Sequence, residues 1–299
     1  MILIRFTGGL GNQMFQYALG TCLAVKNKTQ LKVDLTLLLD RSQPHEVVTH
    51  RDLDIDIFNV NLNYATQEEI WYFNGREYNH LPGKLLNRVL WEGGRKKNLI
   101  VEKDRSFQPA ILSSPDNKCL VGSWQSERYF EPVKEELRSQ FTFRLPLTGA
   151  AKELGEKIRS MNSVCLNVRR GDYVSSPVYS QMLGTMPPEY FRKGLEIISE
   201  KTNPEHVFIF SDDAAWCEEN LKLSMPYTIV GDEYAGPKYS TKLHLMTLCR
   251  HFIIPNSSYG WWAAWLSNHA SKTVVAPLEW FKDKSMSSVD LVPQSWIRI

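Results

Sequence analysis

Short apolar strands and amphipathic helices alternate along the second half of this sequence, and that alternation constrains its fold more than any other feature. The pattern predicts strands at residues 164–168, 206–210, 227–230, 252–254 and 273–276. It predicts helices between them at residues 188–200, 214–221, 241–249 and 260–268. Because parallel strands need long crossover connections, such alternation is typical of a parallel sheet with helices on both faces. The second half is therefore predicted to be an α/β domain.

The N-terminal segment begins in the same way. Residues 2–6 read as a buried strand, a glycine-rich turn follows, and a helix is predicted from about Asn12. A second strand is predicted at residues 31–35. Residues 42–143, in contrast, are irregular in pattern, because proline and glycine interrupt their weak helical stretches.

A P-L-T-G stretch that begins at Pro146 separates the two patterns. We therefore predict two α/β domains, at residues 1–147 and 148–299. Open sheets of this kind bind ligands at the carboxyl ends of their strands, so segments just after strands are the candidates for a functional site.

The bulk composition excludes several classes of protein. A net charge of +2 without a long basic tract argues against nucleic-acid binding, and we interpret the basic cluster at residues 95–97 as an exposed loop. The five cysteines and seven histidines show no metal-ligand spacing, so we predict neither a disulfide framework nor a metal site. No apolar run is long enough to span a membrane. We therefore expect a cytoplasmic protein with at most peripheral contact with the inner membrane.

The first candidate segment is G-G-L-G-N-Q at residues 8–13. Glycines let a backbone approach a ligand closely, and a helix that starts there attracts negative charge. The segment partly matches the dinucleotide-binding fingerprint, with Asp34 where a ribose-binding acid is expected, but Met14 occupies the third glycine position. A plain tight turn and a dinucleotide site both remain open.

The second segment, N-V-R-R-G-D-Y at residues 167–173, ends a strand with two adjacent arginines. Arginines are costly to bury without an anion, and their planar fork suits phosphate oxygens. Strand alternation directs Arg169 and Arg170 to opposite sides, so one can face a ligand while the other pairs internally, with Asp172 as a candidate partner. The alternative is a structural arginine–aspartate pair at a turn.

Two further segments also follow strands. In F-S-D-D, residues 210–213, a carboxylate can accept hydrogen bonds from guanine or ribose, or it can cap the next helix. In N-S-S-Y-G-W-W, residues 256–262, hydroxyl and N–H groups at a helix start form a candidate anion site, and the tryptophans favour the core. The D-x-D at residues 54–56 reads as part of a half-exposed strand rather than as a metal site.

Five motifs, in the same order, resemble those of the α-1,2-fucosyltransferase family in its bacterial branch, glycosyltransferase family 11. They are G-G-L-G-N-Q-M-F-Q-Y-A at residues 8–18, G-S-W-Q-S-E-R-Y-F at 122–130, R-R-G-D-Y at 169–173, F-S-D-D at 210–213 and N-S-S-Y-G-W-W at 256–262. The match spans nearly the whole chain. The chain departs from the family at Asn167, where histidine is usual, and at Thr241 and Lys242, where acids are common. A proton-shuttle role at Asn167 and a carboxylate role at Thr241 and Lys242 are therefore not carried over.

The resemblance implies a GT-B-like enzyme with two Rossmann-like halves and a cleft between them. It implies transfer of L-fucose, with inversion, from GDP-β-L-fucose to the 2-hydroxyl of a terminal galactoside in an oligosaccharide or lipid-linked glycan. No metal or other cofactor is expected, since GDP-fucose is a substrate. The base that takes the acceptor's proton stays open.

The resemblance also implies roles for individual residues. Arg169 is expected at the diphosphate, Asp212 or Asp213 at the guanosine, and Asn12 with Gln13 at the fucose and acceptor. The predicted catalytic residues are Arg169, Asp172 and Asn12. The predicted donor-binding residues are Gly11, Gln13, Asn167, Arg169, Arg170, Ser211, Asp212, Asp213, Asn256, Ser257 and Ser258. Two rival functions stay open: an NAD-type oxidoreductase, suggested by the N-terminal glycines, and a non-catalytic nucleotide-sugar-binding protein.

Overall fold

A computed structural model describes residues 1–42, 49–74 and 98–299 of the chain. These residues form two compact units: unit 1 comprises Met1–Asp56 and Val60–Gln140, and unit 2 comprises Ile57–Asn59 and Phe141–Ile299. Phe58 belongs to unit 2 because its ring packs against Phe141 and Phe143, at centroid distances of 5.3 and 5.0 Å. The division thus falls before residue 147, since these phenylalanines already belong to unit 2. The basic cluster at residues 95–97 lies outside the described residues.

Unit 1 is built on a sheet of parallel strands in the order β2-β1-β4-β3. Its strands are β1 (Ile2–Arg5), β2 (Leu31–Asp34), β3 (Leu99–Val101) and β4 (Lys118–Val121). Its described α-helices are α1 (Leu10–Lys26), α2 (Gln67–Asn74) and α3 (Lys134–Gln140). Helix α1 connects β1 to β2, and its C-terminal end is closed by Asn27, whose side chain donates a hydrogen bond to the carbonyl of Leu23.

Two expectations for unit 1 were wrong. Residues 42–143 are not uniformly irregular, because β3 and β4 complete the sheet there; strands of three and four residues are too short to show a period in the sequence. Residues 54–56 do not form a strand. Ile55–Ile57 is a 3₁₀ helix, since the N–H groups of Asp54 and Ile55 donate to the side chain of Gln13 instead of to a neighbouring strand.

Unit 2 is built on a sheet of six parallel strands in the order β10-β9-β8-β5-β6-β7. They are β5 (Ser163–Val168), β6 (His206–Ser211), β7 (Tyr227–Val230), β8 (His251–Ile253), β9 (Val274–Ala276) and β10 (Ile297–Arg298). The α-helices of unit 2 are α4 (Gly149–Ser160), α5 (Gly171–Ser175), α6 (Pro177–Met182), α7 (Pro188–Thr202), α8 (Ala214–Asn220), α9 (Ser240–Thr247) and α10 (Ser258–Leu266).

The strand order of unit 2 reverses direction at β5. The chain proceeds from β5 outward through β6 to β7, and then returns to place β8 on the other side of β5. Such a reversal is a topological switch point, where the two crossovers diverge and leave a crevice at the carboxyl ends of the strands. The predicted α/β class and the two Rossmann-like halves are therefore confirmed.

The core of unit 2 explains why its elements were readable in the sequence. Strand β5 is buried at every position, as expected for a central strand covered on both faces. Helix α7 begins with Pro188 in its first turn and buries Phe191, Leu195 and Ile198 on one face against the sheet. It ends at Asn203, which adopts the left-handed conformation with φ of 46°.

The five cysteines are all free and buried, two in unit 1 and three in unit 2. Burial raises the pKa of Cys119 to about 12 and that of Cys217 to about 11. Among the described residues, no helix combines the length and apolar character needed to cross a membrane.

Candidate functional site

Three of the predicted segments meet at the carboxyl ends of adjacent strands in unit 2. Strand β5 lies between β8 and β6, with Leu166 paired to Ile253 and Val168 paired to Ser211. This register places the segment that begins at Arg169 beside the one that begins at Asp212, and it brings the N-terminus of α10 to the same edge. The sequence therefore identified segments that the fold brings together at the switch point.

Arg169 is held between two carboxylates. Its Nη2 lies 2.5 Å from Oδ1 of Asp172, and its Nη1 lies 2.7 Å from Oδ2 of Asp212. Burial lowers the pKa of Arg169, but the charges of Asp212 and Asp172 outweigh that effect and leave the pKa above its usual value. The guanidinium is therefore a permanent cation, and its side chain is 31% exposed. It contacts each carboxylate through one nitrogen, so its planar fork retains N–H groups for a ligand.

Arg170, the next residue, contacts different groups from those that Arg169 contacts. Its Nε donates to Oδ2 of Asp213 at 2.9 Å, and its guanidinium lies over the ring of Trp216, 4.2 Å from the ring centroid. The hydrogen bond from Arg170 lowers the pKa of Asp213. Arg170 is thus the arginine with a structural role, whereas the predicted pair with Asp172 is made by Arg169.

The two aspartates after β6 are already engaged within the protein. Oδ1 of Asp213 accepts from the N–H of Trp216 at 3.1 Å and caps α8, and Oδ1 of Asp212 accepts from the N–H of Arg170 at 2.8 Å. A Cβ atom on Gly171 would lie 2.7 Å from Oδ2 of Asp212, so glycine is required for this close approach. Ser211, which is buried, accepts a hydrogen bond from the N–H of Asp213.

Asn167 is buried below the arginines, with 7% of its surface exposed. Its Nδ2 donates to the carbonyl of Phe210 at 3.1 Å, while its Oδ1 has no hydrogen-bond partner among the described residues. A Cβ atom on Gly260 would lie 2.5 Å from this Oδ1, so the amide faces the first turn of α10. An unsatisfied buried acceptor is costly, so this oxygen is a candidate contact for a ligand at the site.

In the last segment, residues 256–262, Asn256 has a structural role, and Ser257 and Ser258 lie at the start of α10. Nδ2 of Asn256 lies within hydrogen-bond distance of three carbonyls, those of Leu183, Gly184 and Trp280. These contacts fix the loop that follows β8 through Nδ2 of Asn256, whereas the buried Oδ1 has no hydrogen-bond partner among the described residues. Ser257 is buried, and Ser258 begins α10. As predicted, Trp261 and Trp262 lie in the core.

Sequence reasoning noted Lys242 only as a departure from the family and did not predict that this lysine of α9 is buried, with 5% of its surface exposed. Its Nζ donates to the carbonyl of Ser211 at 2.8 Å and forms an ion pair with Oδ1 of Asp232 at 2.9 Å. One sequence signal could have indicated this burial. Lys242 is a single charged residue in a helical stretch that also contains the apolar residues Leu243, Leu245 and Met246. Such a lysine must have partners, because an unpaired buried charge is strongly unfavourable.

In unit 1, the predicted ligand residue Gln13 is fully buried, and its amide is engaged four times. Its Nε2 donates to the carbonyls of Gly8 and Asp52, and its Oε1 accepts from the N–H groups of Asp54 and Ile55. These bonds use the whole capacity of a glutamine amide. The side chain of Gln13 therefore holds the loop after residue 51 and is not available to a sugar, which corrects the expectation.

Asn12 lies in a polar network at the carboxyl ends of β1 and β4. Its Oδ1 accepts from Nε2 of Gln125 at 2.8 Å, and Oε1 of Gln125 accepts from Arg105 at 3.1 Å. The turn that carries Gln125 is fastened by Glu102, whose carboxylate accepts from two N–H groups; burial raises the pKa of Glu102, against the effect of these bonds. Trp124 in this turn is buried and left-handed, with φ of 55°. The role of Asn12 stays a prediction, as does that of Gly11, which is buried in the first turn of α1.

Asp34 ends β2, but its carboxylate is engaged within the protein instead of being open to a ribose. It is fully buried, its Oδ2 pairs with Nε of Arg5 at 2.7 Å, and its Oδ1 accepts from the N–H and hydroxyl of Thr36. The acid that suggested a dinucleotide site, Asp34, therefore has a structural role in holding Arg5 and Thr36.

Comparison with known proteins gives a consistent result. The family description "Glycosyl transferase family 11" matches residues 103–299. The chain is 31% identical to the alpha-1,2-colitosyltransferase of Escherichia coli, over 100% of this chain and 99% of that protein. It is 29% identical to the O-antigen biosynthesis glycosyltransferase WbnK of Escherichia coli, over 98% of each. Its fold is similar to that of fucosyltransferase NodZ from Bradyrhizobium, with a TM-score of 0.51 and 14% identity over 88% of this chain and 91% of that one.

Two Rossmann-like units with polar segments at the carboxyl ends of their strands define a glycosyltransferase of GT-B-like fold that acts on a nucleotide sugar. The chain belongs to glycosyltransferase family 11, the α-1,2-fucosyltransferase family that its five motifs indicated.

Proposed function

We propose that this enzyme transfers L-fucose from GDP-β-L-fucose to the 2-hydroxyl of a terminal galactoside, with inversion at the anomeric carbon. The acceptor is a galactose-terminated oligosaccharide or lipid-linked glycan, as expected for a relative of an O-antigen glycosyltransferase. The observation that carries the proposal is the position of Arg169, a partly exposed cation at the switch point of a parallel sheet, beside the start of α10.

The diphosphate is the part of the donor that this site fits best. Arg169 supplies a planar cation, and the first turn of α10 supplies N–H groups and the hydroxyls of Ser257 and Ser258. Asp172 and Asp212 hold the guanidinium in place before the donor arrives. Groups held in this way stabilise charge that develops on the leaving diphosphate without reorganising during the reaction.

The reaction is a single displacement. The acceptor's 2-hydroxyl oxygen attacks C1 of fucose on the face opposite the phosphate, while the bond between C1 and the phosphate oxygen breaks and its electron pair leaves with GDP. The hydroxyl proton goes to a base. Asp172 is our candidate, because its carboxylate is 15% exposed and lies beside Arg169. We propose that protein groups alone stabilise the GDP, with no metal.

The main alternative concerns the sugar rather than the reaction. The colitosyltransferase relative is named for a sugar that lacks the 3-hydroxyl of fucose, so GDP-colitose is the rival donor. An NAD-type oxidoreductase is disfavoured by the burial and pairing of Asp34. A non-catalytic binding protein on this fold would bind GDP but would not release it from GDP-fucose.

The test is to incubate the protein with GDP-fucose, GDP-colitose or GDP-mannose and a set of β-galactosides, with and without EDTA. Released GDP is measured by a coupled assay, and the product linkage is determined by NMR. We expect α-linked fucose at O2 and an unchanged rate in EDTA. The matched control is a 2-deoxygalactoside, which lacks the nucleophile and should give no product. Absence of acceptor-dependent GDP release from GDP-fucose would refute the proposal, and release from GDP-colitose alone would favour the rival donor.

A further inference from the structure

Helix α1 is buried along almost its whole length, and the exception is Asn12. Every residue from Leu10 to Ala24 is buried apart from Asn12, which is half-buried. Asn12 lies near the start of α1, just after the carboxyl end of β1. Because open α/β sheets bind ligands at this edge, Asn12 is the polar residue of α1 that a ligand bound there can reach.

The hydrogen bonds of Asn12 have a direction that is set by Arg105. An arginine side chain can only donate, so the Gln125 atom that lies 3.1 Å from Nη1 of Arg105 has to be the oxygen, Oε1. The nitrogen of the same amide, Nε2, therefore faces Asn12, and it donates to Oδ1 of Asn12 at 2.8 Å. It follows that Oδ1 of Asn12 is used within the protein, and that the atom which Asn12 can present to a ligand is Nδ2, a donor.

The turn after β4 holds Gln125 in place at a structural cost. Gln125 is buried, and its neighbour Trp124 is a fully buried residue in the left-handed conformation, which bulky side chains rarely adopt. Nε1 of Trp124 and the hydroxyl of Ser126 are also buried without a hydrogen-bond partner in the part of the chain that the structure describes. Backbone strain of this kind clusters at active sites and ligand clamps, so the turn has the character of a functional segment.

Glu102 anchors both this turn and the charge that directs the hydrogen bonds. Its carboxylate accepts from the N–H groups of Ser123 and Trp124, at 2.6 and 3.0 Å. Burial raises the pKa of Glu102, and the charge of Arg105 opposes that effect, so the two groups are close enough to interact. The donor end and the middle of the chain Arg105–Gln125–Asn12 thus depend on the same acid.

Gly8 leaves the space in which the amide of Asn12 lies. It adopts the left-handed conformation, with φ of 74°, and a Cβ atom on it would overlap Nδ2 of Asn12. The group that is presented here is a neutral N–H donor, which suits a hydroxyl or ring oxygen of a sugar. The cation that suits the diphosphate is Arg169, in unit 2.

We propose that Arg105, acting through Gln125, orients the amide of Asn12 so that its N–H binds an oxygen of the acceptor galactoside. The inference rests on the proposed function, because it takes a galactoside as the acceptor. It makes Gln125 and Arg105 positioning residues, and Arg105 lies outside all five family motifs. Recognition then depends on the direction of the hydrogen bonds as well as on their presence.

The first test is Gln125→Glu. Glutamate has the same shape and keeps the contact with Arg105, but its carboxylate can only accept, so Asn12 has to turn Nδ2 toward it and present Oδ1 instead. Replacing a donor by an acceptor at a substrate oxygen should raise the KM for the acceptor by roughly tenfold or more. Initial rates are measured with GDP-fucose and lactose, each varied in turn, and the KM for GDP-fucose should be unchanged. Gln67→Glu is the matched control, because Gln67 is exposed at the start of α2 in the same unit.

Further variants keep the test decisive if Gln125→Glu does not fold. Asn12→Asp still accepts from Gln125 but has an oxygen in place of the N–H donor, so it should raise the KM for lactose to the same extent. Arg105→Met should also raise it, because the amide of Gln125 is then free to take either orientation, and Arg105→Lys should restore part of the affinity, since lysine too can only donate. In an Asn12→Ala background, Gln125→Glu should have no further effect on the KM for lactose.

The outcomes separate this inference from the proposed function. A folded Asn12→Asp enzyme with the wild-type KM for lactose overturns the inference, and a change in the KM for GDP-fucose alone overturns the assignment to the acceptor. In both cases, fucose transfer by the wild type leaves the proposed function standing. If the wild type transfers no fucose, the proposed function fails, and titration of lactose followed by NMR without a donor still compares the wild type with Asn12→Asp. A wild type that does not bind lactose overturns both.

Discussion

Replacement of Arg169 by alanine is the most direct test of the donor site. The change removes a permanent cation that contacts Asp172 at 2.5 Å and Asp212 at 2.7 Å, at the point where we place the leaving diphosphate. Losing one preorganised group of this kind lowers turnover on the order of 10²–10³-fold, or about 3–4 kcal/mol. We expect kcat to fall by at least this factor, with Arg169→Lys intermediate because a lysine cannot bridge both carboxylates.

The effect on stability should be much smaller. The three side chains are between 15% and 31% exposed, so solvent screens their ion pairs. Each pair contributes roughly 1 kcal/mol or less on that basis, and Asp212 keeps its bond from the N–H of Arg170. We therefore expect the melting temperature to fall by only a few degrees.

The assay measures initial rates of acceptor-dependent GDP release, with folding checked by circular dichroism and thermal melting. Arg192→Ala is the matched control. Arg192 is 41% exposed and also pairs with an acid, Glu189, but it lies on α7 outside the candidate site. A folded Arg169→Ala enzyme with kcat within tenfold of the wild type would refute the assignment.

Three further predictions address other residues. Asp172→Asn should lower kcat on the order of 10²-fold or more with little change in donor KM if the carboxylate takes the acceptor's proton; a rise in KM alone would limit it to holding Arg169. Gln13→Ala should destabilise unit 1 by roughly 2–4 kcal/mol in chemical denaturation, since it removes four buried hydrogen bonds, and an unchanged midpoint would contradict this. His244 stacks on Phe143, and burial lowers its pKa from 6.5 to about 4, so the neutral ring is favoured in the folded state. The unfolded state therefore binds the proton more readily, and stability should decline as the pH falls from about 6.5 toward 4, by at most about 3 kcal/mol. His244→Phe should keep the stacking and flatten that slope in pH-dependent melting; an unchanged slope would assign it to other groups.

The second half of the fold could be predicted because its signals are local. Strand β5 is buried at all six positions and mostly apolar, and α7 has a proline at its start and a single buried face. Strand β3 has three residues, and its place beside β4 depends on pairing across distant parts of the chain. No short window of sequence contains that information.

The site was predictable as a set of segments but not as a set of contacts. The motifs located Arg169, Arg170 and Asp212 at strand ends, and the parallel sheet brought those ends together. Which arginine pairs with which acid depends on the register of β5 against β6, which places residues 42 and 43 positions apart side by side. A sequence pattern cannot specify that register.

The same limit applies to residues whose partners are backbone groups. Lys242 forms no motif, and its first partner is the carbonyl of Ser211, which every residue type has. Gln13 looked like a ligand residue because it lies in a glycine-rich turn, whereas its four partners are all main-chain atoms of unit 1. Polar side chains in such motifs can be retained for loop shape as readily as for chemistry.

The reactivity of the buried cysteines can report local unfolding of each unit. A thiol buried in a core reacts with an alkylating reagent only while its surroundings are transiently unfolded. Cys22 and Cys119 would be modified when unit 1 opens, and Cys165, Cys217 and Cys249 when unit 2 opens. Mass spectrometry of the five sites over time therefore measures the two units separately. Added GDP should slow modification of Cys165, Cys217 and Cys249, so the rate at each sulfur would show which unit binds the nucleotide without a mutation.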